Sequence, residues 1–198
     1  MRFKLLLPIL LLSGCFLPVW PEPPAGADDD DAVDACAAAV PCTGDYIIQS
    51  SADMDDIALC ESITGSLWFE GQGWLTSIDD LSCLTSVGEQ LAIQYNDALT
   101  DTSGLSGITS VGGNLIIREN AALTNLDGLS GITTVGGTLY IHGNDALTDI
   151  SGLSSLTTVG GALYIYNNPL LCQSLVDAFV AACSCGGVGA TSGNDDGC

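Results

Sequence analysis

Basic residues are scarce in this sequence. Only 3 of the 198 residues are Lys or Arg, against 24 Asp and Glu, and the formal net charge is −21. Arg2 and Lys4 lie at the N-terminus, so Arg118 is the only Lys or Arg in the rest of the chain. A nucleic-acid-binding protein is excluded, because neutralising phosphates takes Lys and Arg. The hydrophobic fraction of 47% still predicts a folded core.

Long apolar runs are missing as well. Leu5–Leu12 is too short to cross a bilayer, which takes roughly 20 apolar residues, and after Arg2 and Lys4 it is typical of a signal peptide. Leu12-Ser-Gly-Cys15 resembles the lipobox of bacterial lipoproteins. That resemblance implies removal of residues 1–14 and lipidation of Cys15. We therefore expect export and a lipid anchor in the bacterial envelope, at the outer membrane or cell surface because Asp does not follow Cys15.

Residues 15–35 predict a tether between this lipid and a domain over 36–185. Four prolines stiffen the segment, and the acidic run Asp28–Asp31 extends it by charge repulsion. Four consecutive carboxylates lack the alternate spacing and the turn glycine of a calcium loop. We expect no metal and no cofactor in the chain. Residues 186–198 are expected to form a Gly-rich tail.

Eight cysteines remain after Cys15, in two groups of four, and export favours their oxidation. In the first group we favour Cys42–Cys60 with Cys36–Cys83, and the rival is Cys36–Cys42 with Cys60–Cys83. In the second group we favour Cys172–Cys185 with Cys183–Cys198. Cys183 and Cys185 are too close in sequence to pair comfortably, and a helix between Cys172 and Cys183 would separate them by about 16 Å.

The middle of the chain repeats with a period of 24 residues, as Gly104-Leu-Ser-Gly-Ile-Thr-Ser-Val-Gly-Gly and Gly128-Leu-Ser-Gly-Ile-Thr-Thr-Val-Gly-Gly illustrate. Such a period predicts stacked coils that bury a continuous core. We expect a mainly β fold, a right-handed β-solenoid of about five coils with short helical caps. The inward columns begin with Leu67, Leu91, Leu115, Leu139 and Leu163, then Phe69, Ile93, Ile117, Ile141 and Ile165.

Two polar or small columns accompany the apolar ones. Asn96, Asn120, Asn144 and Asn168, with Gln72 before them, follow the strands and predict a structural ladder of side-chain amides. Gly88, Gly112, Gly136 and Gly160 precede the strands and predict corners with positive φ. After the last repeat, Leu175, Val176, Phe179 and Val180 share a helical face and predict a cap on the end of the core.

The pattern Leu-x-Ile-x-x-Asn-x-x-Leu-Thr followed by Gly-Leu-x-x-Ile-x-x-Val-Gly-Gly resembles the receptor L-domain family over residues 42–185. The resemblance implies a right-handed β-helix related to leucine-rich repeats. It also implies an extracellular binding or adhesion module that is not an enzyme. It transfers no ligand-binding residue to this chain.

Outward side chains of the strands form the candidate binding face. They are Trp68, Glu70, Gln94, Ile116, Arg118, Tyr140, His142, Tyr164 and Tyr166. Exposed aromatic residues beside Arg are frequent in protein interfaces, and a sheet holds them rigidly. Cross-strand packing on a half-exposed sheet is the simpler interpretation.

We expect a monomeric recognition module for a protein or glycan partner. The alternative is a passive structural lipoprotein of the envelope. A third possibility is a polysaccharide-active enzyme that uses the carboxylates of Asp97 and Asp145 or of Asp101 and Asp149. Asp and Asn at these positions are ordinary turn residues, which argues against catalysis.

Overall fold

The computed structural model describes residues 36–71, 73–79 and 81–198. The predicted signal peptide over 1–14, Cys15, the tether and Gln72 lie outside these residues. No helix in the described ranges is both long enough and apolar enough to cross a bilayer.

The described chain is mainly β, as predicted. The strands are β1 (Val40–Cys42), β2 (Tyr46–Ile48), β3 (Cys60–Ile63), β4 (Leu67–Glu70), β5 (Ser86–Val87), β6 (Leu91–Gln94), β7 (Ser110–Val111), β8 (Leu115–Arg118), β9 (Thr134–Val135), β10 (Leu139–His142), β11 (Thr158–Tyr166) and β12 (Ser184–Val188). The helices are α1 (Ser51–Ile57), α2 (Gln173–Ala182) and three 3-10 turns, η1 (Ser103–Leu105), η2 (Asp127–Leu129) and η3 (Ser151–Leu153).

All twelve strands belong to one sheet, and every pair is parallel. β4, β6, β8 and β10 form one ladder, and β5, β7 and β9 form another. β11 is long enough to pair with β9 through its first residues and with β10 through its last ones, so it joins the two ladders. Partners in the repeats are 24 residues apart, for example Leu91 with Leu115. The sequence period is therefore the period of the sheet.

The core lies on the inner side of these ladders. The predicted apolar columns are buried, and Leu91, Leu115, Leu139 and Leu163 are each 0% exposed. Ile78, Thr102, Leu126 and Ile150 form a further inward column at the 3-10 turns that the sequence patterns did not reveal. Thr102 interrupts its apolar character, which explains why the period was not recognised there.

The glycine column has a different cause from the predicted one. Gly88, Gly112, Gly136 and Gly160 do not adopt positive φ. A Cβ at Gly112 would instead overlap the carbonyl oxygen of Gly88 in the preceding repeat. These corners need glycine because two backbones approach closely there. Positive φ is found one residue before each interior Asn, at Tyr95, Glu119, Gly143, Asn167 and Gly193, and also at Gly71 in the same column.

α1 closes the N-terminal side and begins with a capping box. Ser50 accepts a hydrogen bond from the Asp53 backbone N–H, and the Asp53 carboxylate accepts hydrogen bonds from the backbone N–H groups of Gln49 (2.8 Å) and Ser50 (2.7 Å). The Gln49 hydrogen bond is the main reason that the pKa of Asp53 is lowered, and the Ser50 side chain lowers it further. Met54 and Ile57 attach the helix to the core.

Four disulfides join the eight cysteines. Cys36–Cys83 and Cys42–Cys60 are the pairs favoured from the sequence. The prediction for the other end was wrong, because the bonds there are Cys172–Cys198 and Cys183–Cys185.

Chain geometry explains these C-terminal pairs. Cys183 has an extended backbone at the end of α2, so residues 183 and 185 lie on one side of the chain with their Cα atoms 5.5 Å apart. Asp195 forms a bridge with Cys172, which brings the chain end to Cys172. Cys185 instead lies beside Val159, in the ladder of short strands. It is therefore Cys198, and not Cys185, that reaches Cys172.

The C-terminal end is built from α2 and the tail together. In α2 only Val176 is fully buried, while Phe179 and Val180 pack partly on the core and Leu175 is exposed. β12 pairs with β11, and the Gly189 N–H donates to the Leu163 carbonyl. The Gly-rich tail, expected to be a separate segment, thus adds strand pairing to the sheet after α2.

Candidate binding face

The outward side chains of β4, β6, β8, β10 and the second half of β11 form a surface that we call the strand face. Its first row is Trp68, Ala92, Ile116, Tyr140 and Tyr164, and its second row is Glu70, Gln94, Arg118, His142 and Tyr166. The parallel register places all nine predicted residues on this one surface. Neighbouring side chains of a row are about 4.8 Å apart along the sheet.

The exposure of the side chains varies along the two rows. Ala92 is 0% exposed and Gln94 only 8% exposed, although both side chains point outward. Trp68, Ile116, Arg118 and Tyr140 are partly exposed. A groove of about 520 Å³ lies along the middle of the face, lined by Gln90, Gln94, Asn114, Ile116, Arg118, Thr138 and Tyr140. Its lining combines amide, hydroxyl, guanidinium and apolar groups.

Three tyrosines and the only histidine form one cluster beside this groove. His142 stacks on Tyr166 with ring centroids 4.4 Å apart, and Tyr140 meets Tyr166 edge-on at 5.6 Å and Tyr164 at 5.8 Å. The hydroxyls of Tyr140 and Tyr166 are hydrogen-bonded to each other. This hydrogen bond, together with partial burial, raises the pKa of Tyr140 to about 12. The ring contacts and this hydrogen bond therefore hold the cluster as a preorganised aromatic surface.

Arg118 is held in place by two neutral neighbours. Its Nε–H donates to the Gln94 Oε1 atom at 2.9 Å, and its Cζ atom lies 4.9 Å from the centroid of the Tyr95 ring. The latter is a cation–π contact. Among the described residues, no carboxylate forms an ion pair with Arg118. Its charge is thus positioned but not neutralised by the described part of the chain.

Tyr95 and Glu119 belong to this surface, but the sequence patterns did not identify them. Both have left-handed backbones, with φ of 60° and 54°. Such a conformation costs a non-glycine residue roughly 1–2 kcal/mol. It turns the side chains toward the second row, where Tyr95 contacts Arg118 and Glu119 Oε1 lies 3.2 Å from His142 Nε2. Gly71, Gly143 and Asn167 in the same column were the available signal, since these residue types tolerate positive φ.

The interior Asn column lies on the core side of the chain and hydrogen-bonds backbone groups of the strands that carry the strand face. Asn96, Asn120, Asn144 and Asn168 are each 0% exposed. The Asn120 Nδ2 group donates to the Ile93 carbonyl at 2.9 Å, and Asn144 Oδ1 accepts from the Asn120 backbone N–H at 3.1 Å. Asn194 from the tail continues this ladder beyond Asn168, 26 residues later instead of 24. The amides serve the backbone and are inaccessible to a ligand.

Two of the four carboxylates considered for catalysis, those of Asp101 and Asp149, accept hydrogen bonds within turns. Asp101 accepts the Ser103 backbone N–H at 2.8 Å, and Asp149 accepts that of Ser151 at 2.7 Å. His142 contacts Glu119 and Tyr166, and in the described chain no Ser or Cys side chain is hydrogen-bonded to it. The strand face has the chemistry of a binding surface: aromatic rings, amides and one available cation.

Comparison with known proteins gives one family. The sequence model described as Receptor L domain matches residues 59–178, which are 120 of the 198 residues. These residues include β4, β6, β8, β10 and β11, and so the whole strand face. No curated protein matches the chain.

Proposed function

The chain belongs to the receptor L domain family, and from this premise we propose that it is a lipid-anchored recognition module that binds through its strand face. Receptor L domains are ligand-binding modules and not enzymes, so the coarse function is that of a receptor-like binding domain. The finer proposal concerns where this chain is anchored, how its repeats are arranged and which surface carries its specificity.

For the architecture, we propose an open right-handed solenoid of about five 24-residue coils. The 24-residue offset of strand partners and the shared long strand β11 support it. Coils stacked at about 4.8 Å make the strand face a rigid strip. α1 at one end, and α2 with β12 at the other, would act as caps that prevent fraying and end-to-end association. Because these caps would cover both ends of the sheet, we expect the protein to be a monomer.

For the cellular location, we propose export and lipidation at Cys15, with the domain held on the envelope surface by the tether. Leu12-Ser-Gly-Cys15 and the four disulfides support an oxidising, extracytoplasmic location. Two or more acyl chains hold a protein on a membrane firmly, whereas one alone binds reversibly.

The observation that carries the binding proposal is the contrast between the two sides of the same strands. The inward residues repeat, but the second row of the strand face reads Glu70, Gln94, Arg118, His142 and Tyr166. Packing alone does not require five different polar or aromatic side chains. Left-handed Tyr95 and Glu119 bring further functional groups to the row at a cost in backbone strain.

The test is a binding screen with the full chain against purified cell-surface proteins and glycans. We expect Tyr140→Ala and Tyr164→Ala to weaken binding of the partner at least about tenfold, as loss of an aromatic hot spot does. Ser130→Ala, an exposed change at the end of η2 and outside the strand face, is the matched control. A partner that binds all four proteins equally would place recognition elsewhere. Absence of any specific partner would favour the passive structural lipoprotein.

A further inference from the structure

The groove of the strand face has a chemistry that indicates its ligand. Building on the proposed recognition function, we propose that this groove binds a carbohydrate carrying a single carboxylate. In this arrangement the carboxylate pairs with Arg118, and the sugar ring lies over Ile116 and Tyr140.

The first argument is charge. After residue 4 the sequence contains one Lys or Arg, Arg118, in a chain of net charge −21. Within the described residues no carboxylate neutralises it, and Glu119, the adjacent carboxylate, pairs with His142 instead. Gln94 and Tyr95 orient the guanidinium without cancelling its charge. An Arg so arranged is suited to an incoming anion.

The second argument is geometry. A guanidinium has five N–H donors, and the hydrogen bond to Gln94 uses the one on Nε. The donors on the two terminal nitrogens remain, and their planar fork matches the two oxygens of a carboxylate. Since the surrounding protein is strongly acidic, a ligand with many negative charges would be repelled. One isolated carboxylate on an otherwise neutral molecule satisfies both conditions.

The third argument comes from the polar lining of the groove. The Gln90 side-chain amide, the Asn114 Nδ2 group and the Thr138 hydroxyl form no hydrogen bond to any other described residue, whereas Asn114 Oδ1 accepts the Thr138 backbone N–H at 2.8 Å. Amide and hydroxyl groups both donate and accept hydrogen bonds. They complement the hydroxyls of a sugar, which also do both.

The fourth argument is shape. Ile116 and Tyr140 supply apolar surface on two adjacent strands, and the C–H side of a pyranose ring is apolar too. The groove volume of about 520 Å³ falls within the roughly 300–1,000 Å³ of small-molecule sites.

The test uses the full chain and a panel of oligosaccharides that each carry one uronic or sialic acid. Each member is paired with its methyl ester, which keeps the rings but removes the charge. We expect at least one acidic member to bind and its ester to bind at least about tenfold more weakly, as loss of a charge-assisted hydrogen bond predicts. Absence of binding by every acidic member, or equal binding of acid and ester, would overturn the proposal.

Variants separate this proposal from the general one. Arg118→Gln should weaken the acidic ligand about tenfold or more but leave the ester unchanged, and Arg118→Lys should restore part of the affinity. Ser130→Ala should change neither. An unchanged melting temperature of the variants checks that they are folded. If Tyr140→Ala abolishes binding of a protein partner while no acidic glycan binds, the strand face remains a recognition surface and only the carbohydrate assignment fails.

Discussion

The two sides of one strand obey different rules. On β8, Ile117 points inward, and the equivalent residues of three other strands are Ile93, Ile141 and Ile165. Its neighbour Arg118 points outward, and each of the other four strands has a different residue at that position. The inner side must fill a closely packed core between equivalent neighbours, so one side-chain shape suits every repeat. The outer side has no such constraint. The inner side therefore contributes similar packing in every repeat, whereas the outer side is free to vary from one repeat to the next.

The sharpest test compares adjacent isoleucines of β8. Ile117→Ala should lower the free energy of unfolding by about 2–5 kcal/mol, because it leaves a cavity beside fully buried neighbours. Ile116→Ala on the strand face should cost much less, since Ile116 is only partly buried. Equilibrium denaturation of the two variants measures the contrast. Equal losses would show that the strand face is structurally as demanding as the core.

A second test applies the comparison to polar groups. Asn144→Ala removes the acceptor of the Asn120 backbone N–H and the donor to the Ile117 carbonyl, both buried. A loss of about 1–3 kcal/mol per unsatisfied group is expected. Asp145→Ala, at the exposed neighbouring position, should have little effect. Matching denaturation midpoints for the pair would contradict a stabilising role for the Asn ladder.

A third test concerns a substitution that we expect to raise stability and to weaken ligand binding. Glu119→Gly relieves a left-handed backbone at a position where the next repeat has Gly143. The strain of roughly 1–2 kcal/mol exceeds the roughly 0–1 kcal/mol expected of the partly exposed Glu119–His142 contact, so the variant should be about 0.5–1 kcal/mol more stable. It should also release His142 and weaken ligand binding. A variant that is destabilised would show that the Glu119–His142 contact outweighs the strain.

The smallest effect concerns pH. The usual pKa of Tyr is 10.0, and that of Tyr140 in the folded chain is about 12. The unfolded chain therefore loses this proton first, and the contribution of Tyr140 is fully present below about pH 10 and is lost as the pH rises to about 12. Tyr140→Phe should flatten the stability profile in that window alone. An unchanged alkaline profile would argue against the hydroxyl pair.

The sequence predicted those parts of the fold in which the same side-chain packing recurs in every repeat. Leucine, isoleucine and asparagine columns were recognisable because identical surroundings select identical residues every 24 positions. The column of Ile78, Thr102, Leu126 and Ile150 was missed because a polar residue interrupts it. The 24-residue period did not identify Asn194 at the C-terminus. The segment that contains α2 separates Asn194 from Asn168 by 26 residues instead of 24.

The candidate site was predicted less completely for a related reason. Alternation along the strands identified the two rows, since a period of two assigns each residue to a face. It gave no warning of Tyr95 and Glu119, whose orientation depends on a left-handed backbone outside the strand. The disulfides Cys172–Cys198 and Cys183–Cys185 depend on how the chain turns after α2, and sequence separation alone carries little information about such turns.

The uniform 24-residue step also gives this protein a natural unit of growth. Any repeat meets its neighbours through the same inward residues, so duplicating residues 104–127 would add equivalent backbone partners and interior side chains without disturbing either end. Such an insertion would lengthen the strand face by one strand and two outward side chains. Duplication or loss of one repeat would therefore lengthen or shorten the strand face by one strand at a time, while the disulfide-bonded ends stay the same.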